Sequence, residues 1–108
     1  MRRQPWWILT PLFLLAGCAT HYYREEANNL QVYLEDGQAR EVQFASSLDG
    51  FTLRRPEKTD AKTWRITLPK VGEFRYFYVI DGKVRLPDCP YREMDDFGSL
   101  NCLYTTEP

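Results

Sequence analysis

Eight residues, Glu73 to Ile80, limit what this chain can become more than any other stretch. Phe74, Tyr76, Tyr78 and Ile80 fall in one register of a two-residue period, and Glu73, Arg75, Phe77 and Val79 fall in the other. Aromatic and β-branched residues at that period predict a strand with one face on a core. Asp81-Gly82 then ends the run. That dipeptide suits a type I′ hairpin, whose two central residues both need positive φ, and it predicts that Lys83 to Leu86 pairs back. If Phe74, Tyr76, Tyr78 and Ile80 face inward, then Arg75, Phe77 and Val79 face outward. Phe77, Val79 and Val84 then form an outer apolar patch. Such a patch either meets a protein partner or lies under another part of this chain.

The rest of the chain repeats the pattern. Leu30, Val32 and Leu34 alternate with Gln31, Tyr33 and Glu35, and Asp36-Gly37 marks a turn. Val42 and Phe44 alternate with Glu41 and Gln43 before Asp49-Gly50. A short strand is expected at Phe51 to Arg54, with a polar loop from Arg55 to Lys62. Trp64, Ile66 and Leu68 make one face of a further strand, closed by Pro69-Lys70-Val71-Gly72. A long loop from Pro87 to Leu100 leads to a last strand at Asn101 to Thr105. Beyond the first residues nothing carries a helical period. Short strands with frequent turn cues predict an all-β fold, a small β-sandwich spanning 30–108.

The first residues follow another logic. Met1-Arg2-Arg3 is basic, Trp6 to Ala16 is largely apolar, and Leu15-Ala16-Gly17-Cys18 ends the run. A positive end, an apolar middle and small residues at a cut read as a secretory signal, and the run is short for a membrane span. Leu15-Ala16-Gly17-Cys18 resembles the lipobox of bacterial lipoproteins. That resemblance implies cleavage of residues 1–17, a diacylglyceryl group on the Cys18 sulfur and acylation of its new amine. Several acyl chains anchor a protein stably where one is marginal. Ala19, not Asp, follows the cysteine, which for such lipoproteins points to an outer membrane where the envelope has one. Residues 18–29 then read as a lipidated cysteine and a flexible tether, polar apart from Tyr22-Tyr23.

Setting Cys18 aside leaves Cys89 and Cys102. An even remainder in an exported chain suggests a disulfide, the alternative being two buried thiols. The 14 basic residues include Arg2 and Arg3 of the signal and stand against 15 acidic ones, so no basic surface speaks for nucleic acid. His21 is the sole histidine and falls in the expected tether, so neither a histidine base nor a zinc site is expected. Asp88, Glu93, Asp95 and Asp96 crowd one loop without a Ca²⁺-loop spacing and read as a solvated acidic stretch. No phosphate cradle or nucleophile elbow is present. The expectation is a binding protein, not an enzyme, with no cofactor and no metal.

The order of segments resembles the glycogen-binding domains of AMP-activated protein kinase β subunits and the related early-set domains of isoamylases. Val42-Gln43-Phe44 through Asp49-Gly50-Phe51 is similar to that family's V-x-L-x-G-x-F-N-x-W. Trp64-Arg65-Ile66-Thr67-Leu68-Pro69 resembles W-x-V-x-L-P, and Phe74 to Gly82 resembles Y-x-Y-K-F-x-V-D-G. Asp96-Phe97-Gly98-Ser99-Leu100-Asn101 resembles the closing x-x-G-x-x-N. The resemblance implies an immunoglobulin-like sandwich and a surface for α-glucan. On that surface Phe51 takes the place of one sugar-stacking tryptophan and Val84 that of the other. Phe77 replaces a sugar-bonding lysine, and Asn101 is retained. The candidate ligand face is therefore Phe51, Phe77, Val84 and Asn101, with its sugar contacts largely replaced and a glycan or an envelope protein as ligand.

Overall fold

The computed structural model describes residues 20–106, and the expected signal and Cys18 lie outside them. Nine strands follow in order: β1 (Thr20–Glu25), β2 (Asn29–Glu35), β3 (Val42–Ser46), β4 (Glu57–Lys58), β5 (Thr63–Pro69), β6 (Glu73–Ile80), β7 (Lys83–Arg85), β8 (Arg92–Met94) and β9 (Leu100–Thr105). One sheet has the order β3-β6-β9-β8, with β7 also paired to β6; the other has the order β1-β2-β5-β4. Every pairing is antiparallel. The two sheets pack face to face as the expected small β-sandwich.

The alternation read from the sequence builds the core. Leu30, Val32 and Leu34 of β2 and Trp64, Ile66 and Leu68 of β5 line one sheet. They meet Val42 and Phe44 of β3, Phe74, Tyr76, Tyr78 and Ile80 of β6, and Cys102 and Tyr104 of β9. Burying one large apolar side chain contributes roughly 1.5–3 kcal/mol, so this face is the main source of stability. At the hairpin after β6, Asp81 and Gly82 have φ of 51° and 83°, as a type I′ turn requires. The Asp81 carboxylate also accepts from the backbone N–H groups of Arg40 and Glu41 at 2.9 and 2.8 Å, fixing the β2–β3 connection to this turn.

Three expectations are corrected. The segment read as a tether is a strand: all six residues of β1 pair with β2, from Thr20 opposite Glu35 to Glu25 opposite Leu30. Outside, Tyr22 stacks on Tyr33 with ring centroids 4.8 Å apart. Inside, Tyr23 meets Tyr104 edge to face at 4.9 Å, and its hydroxyl hydrogen-bonds that of Tyr76. The described domain therefore includes Thr20, ten residues before the point the alternation alone marks. Secondly, no strand forms at Phe51 to Arg54, where only Arg54 bridges to Phe44. A 3-10 turn, Ser47–Asp49, leads instead into Gly50 and Phe51 at φ of 72° and 63°. Thirdly, both loops expected to be free of structure contain short strands, β4 and β8.

His21 is half-buried against the aromatic side chains of the core. Its ring lies against Tyr23, Tyr76 and Tyr78, Nε2 is 3.4 Å from the Tyr76 hydroxyl, and Nδ1 has no hydrogen-bond partner. Burial lowers its pKa from 6.5 to about 4. Because the folded value is the depressed one, the unfolded chain binds the proton more readily between pH 6.5 and 4. Stability is full above pH 6.5 and falls as the pH drops toward 4. Urea unfolding at pH 7 and pH 5 should differ by about 2 kcal/mol on this account. His21→Leu should flatten that slope, and an equally steep slope in the variant would assign it to other groups.

Candidate functional site

The outward face of β6 carries Arg75, Phe77 and Val79, each half-buried. Two loops rise over it. In the first, Ser46 accepts from Leu48 N–H and caps the 3-10 turn, and Phe51 N–H donates back to the Ser46 carbonyl at 2.8 Å. Phe51 is thereby held in the left-handed region, a conformation that costs an L-residue roughly 1–2 kcal/mol. Non-glycine residues kept there by their surroundings cluster at functional sites. The result is positional: the Phe51 ring stacks on Phe77 with centroids 5.8 Å apart and planes 14° from parallel.

The second loop is the β8–β9 hairpin. Asp95 organises it. One carboxylate oxygen accepts from the N–H groups of Phe97 and Ser99, each at 2.9 Å, and Asp95 N–H donates to the Ser99 carbonyl. The side chain of Asn101 bonds the same carboxylate. The Ser99 and Phe97 amides hold Asp95 below the usual carboxylate range. Gly98, at φ 86°, completes the turn and leaves Phe97 94% exposed at the tip. Across the sheet, Arg75 donates to Glu93 and to Glu73, and its backbone N–H donates to the Ser47 hydroxyl at 3.0 Å. The Arg75 guanidinium in turn holds the Glu93 carboxyl below its ordinary range.

Between these loops lies a groove of about 400 Å³, lined by Phe51, Phe77, Phe97, Arg75, Asp96 and Asn101 together with Ser47 and Asp95. Three of the four residues expected on the ligand face thus meet at one place: Phe51, Phe77 and Asn101. Val84 does not line it. It lies on β7, pairs with Val79 of β6 and stands apart, 65% exposed, because β7 follows β9 along the same edge of β6. The sequence reading missed Phe97 and Arg75. An aromatic between Asp and Gly in a turn has no core to enter, and that was the available signal for Phe97.

Cys89 and Cys102 are bonded, with Cα atoms 5.9 Å apart. The bond fastens the start of the long loop to β9, one residue from Asn101. The acidic residues of that loop are spoken for in part, Glu93 by Arg75 and Asp95 by its own turn. Among the described residues no group of three or more His, Cys, Asp or Glu is placed to hold a metal ion. A second cleft of about 410 Å³ opens between the sheets beside Tyr23, Glu25, Pro90, Tyr91 and Tyr104. Its one carboxylate, Glu25, is taken up by the Tyr104 hydroxyl at 3.3 Å and Lys70 at 3.6 Å.

Fold and site together define a class: a small two-sheet sandwich with an aromatic groove on one outer face, walled by two turns. No family model matches the chain, and no curated protein sequence matches it.

Proposed function

We propose that this is a membrane-anchored, non-catalytic lipoprotein, acylated on Cys18, whose groove binds a glycan. The observation that carries the reading is the meeting of the Phe51–Phe77 stack, Phe97 and Asn101 in one groove. A sugar ring presents C–H groups on its faces and hydroxyls at its rim. Aromatic faces suit the first, and the carboxylate of Asp96 suits the second, with the buried Asn101 amide, bonded to Asp95, behind it in the groove wall. Phe77, standing where the early-set resemblance places a lysine, enlarges the aromatic floor and compensates for an absent tryptophan. A catalytic role is disfavoured because Asp95 is held to its turn, and glycoside cleavage asks for two free carboxyls across the bond.

Phe97 supplies the test. It is nearly fully exposed, so Phe97→Ala should leave thermal stability unchanged. Loss of its contact with a bound ring should weaken retention on immobilised α-glucans or envelope polysaccharides about tenfold, which corresponds to about 1.4 kcal/mol. Equal retention of both proteins would remove Phe97 from the site. Retention of neither would favour the second reading, a lipoprotein that keeps only the fold and meets an envelope protein. The exposed apolar side chains of Val84 and Phe97 are the specific support for that reading.

A further inference from the structure

We infer that the domain stands on the bilayer by one defined end of the sandwich; this rests on the acylation of Cys18 proposed above. Only Ala19 lies between Cys18 and the first residue of β1. Two residue steps of chain span at most about 7 Å, so an acyl anchor on Cys18 leaves Thr20 no room to leave the headgroups. Nor can β1 peel away to act as a leash without cost. Its six residues are paired to β2, and Tyr23 is packed against Tyr104 and bonded to Tyr76.

The register identifies which end this is. Thr20 is opposite Glu35, and Glu35 is opposite Thr63. The connection after Glu35 leads to Val42, which is opposite Ile80 at the Asp81-Gly82 turn. Three connections therefore gather at the Thr20 end: 36–41, 59–62 and 81–82. They are joined to one another by Asp36 N–H on the Lys62 carbonyl at 2.7 Å and by Asp81 on Arg40 and Glu41. The aspartates here accept from backbone N–H groups of these connections. Asp36 accepts from Gln38 and Ala39, Asp60 from Lys62, and Asp81 from Arg40 and Glu41. The long side chains of Arg40, Lys62 and Lys83 are exposed at the same end, with Lys62 3.9 Å from Glu35, so this end carries both signs of charge, and it is the short link to Cys18 that holds it at the headgroups. Phe77 is three residues from Ile80 along β6, about 10 Å at strand rise. The aromatic groove thus opens on the flank of the domain, close above the lipid.

The lysines make this testable. Lys62 and Lys83 mark the Thr20 end, and Lys70, in the turn after β5, marks the opposite one. The full acylated chain is added to preformed vesicles of phosphatidylethanolamine and phosphatidylglycerol and labelled with a membrane-impermeant amine reagent. Modification at each lysine is read by mass spectrometry, relative to the same chain in detergent. The ratio of Lys62 and Lys83 labelling to Lys70 labelling should fall several-fold on vesicles. A Gly/Ser spacer of about ten residues between Ala19 and Thr20 should restore it by letting the domain leave the surface. An unchanged ratio on an acylated, vesicle-bound chain overturns the orientation alone. An N-terminal peptide without acyl mass at Cys18 overturns the acylation reading and the orientation with it.

Discussion

A chain that starts at Leu30 instead of Thr20 should lose on the order of 3–5 kcal/mol of folding stability, enough to unfold a marginal domain. The deletion removes the whole of β1, its pairing with β2 and the Tyr23 ring that packs on Tyr104. It also leaves the hydroxyl of the buried Tyr76 without its Tyr23 and His21 partners, and a buried unsatisfied polar group costs about 1–3 kcal/mol. The exposed edge of β2 would then invite aggregation. Urea unfolding of the two chains measures the difference. Equal midpoints would mean that the segment is a tether after all.

Breaking the Cys89–Cys102 bond should be the next largest effect. The two residues are 13 apart in sequence and both are buried. On the chain-entropy account, closing such a loop contributes about 3 kcal/mol. For a domain of this size that is a fall in Tm on the order of 15 °C. The Cys89→Ser, Cys102→Ser double variant, melted beside the oxidised protein, reads it directly. A shift of only a degree or two would show that Arg92 on the Pro87 carbonyl and Leu103 N–H on the Tyr91 carbonyl already hold the segment.

The strands that form the core could be read from the chain because their inward residues are unambiguous. Phe74, Tyr76, Tyr78 and Ile80 alternate cleanly, as do Leu30, Val32 and Leu34, and Asp81-Gly82 carries its turn type in its composition. β1 escaped because its inward side chains are His21 and Tyr23. Alternation counts such types as ambivalent, and the charged run from Arg24 to Glu26 looks like solvent-exposed chain. Only the tyrosines it meets, Tyr23 on its own strand and Tyr76 and Tyr78 on β6, make this histidine an inward residue. Phe51 is assigned to the ligand face by its place in the early-set resemblance, and separately to a strand that does not form. It reaches Phe77 from a left-handed turn, not from a strand, and the backbone conformation of a non-glycine residue there is not written in its side chain. Val84 shares the outward side of the sheet with Phe77, but β7 and β9 follow one another along β6, so Val84 falls beyond the groove that the β8–β9 hairpin walls. Phe97 depends on that hairpin curling back over β6, a tertiary event with no local pattern.

The central claim is that the groove on β6 binds a glycan. The most direct measurement is an NMR titration of the domain from Thr20 to Pro108 with malto-oligosaccharides. Amide shifts confined to Phe51, Phe77, the Asp95–Ser99 turn and Asn101 are the expected result, with the residues around Tyr23 and Tyr91 unmoved. No shifts at millimolar sugar, or shifts only at the cleft beside Tyr23, would contradict an α-glucan site in the groove.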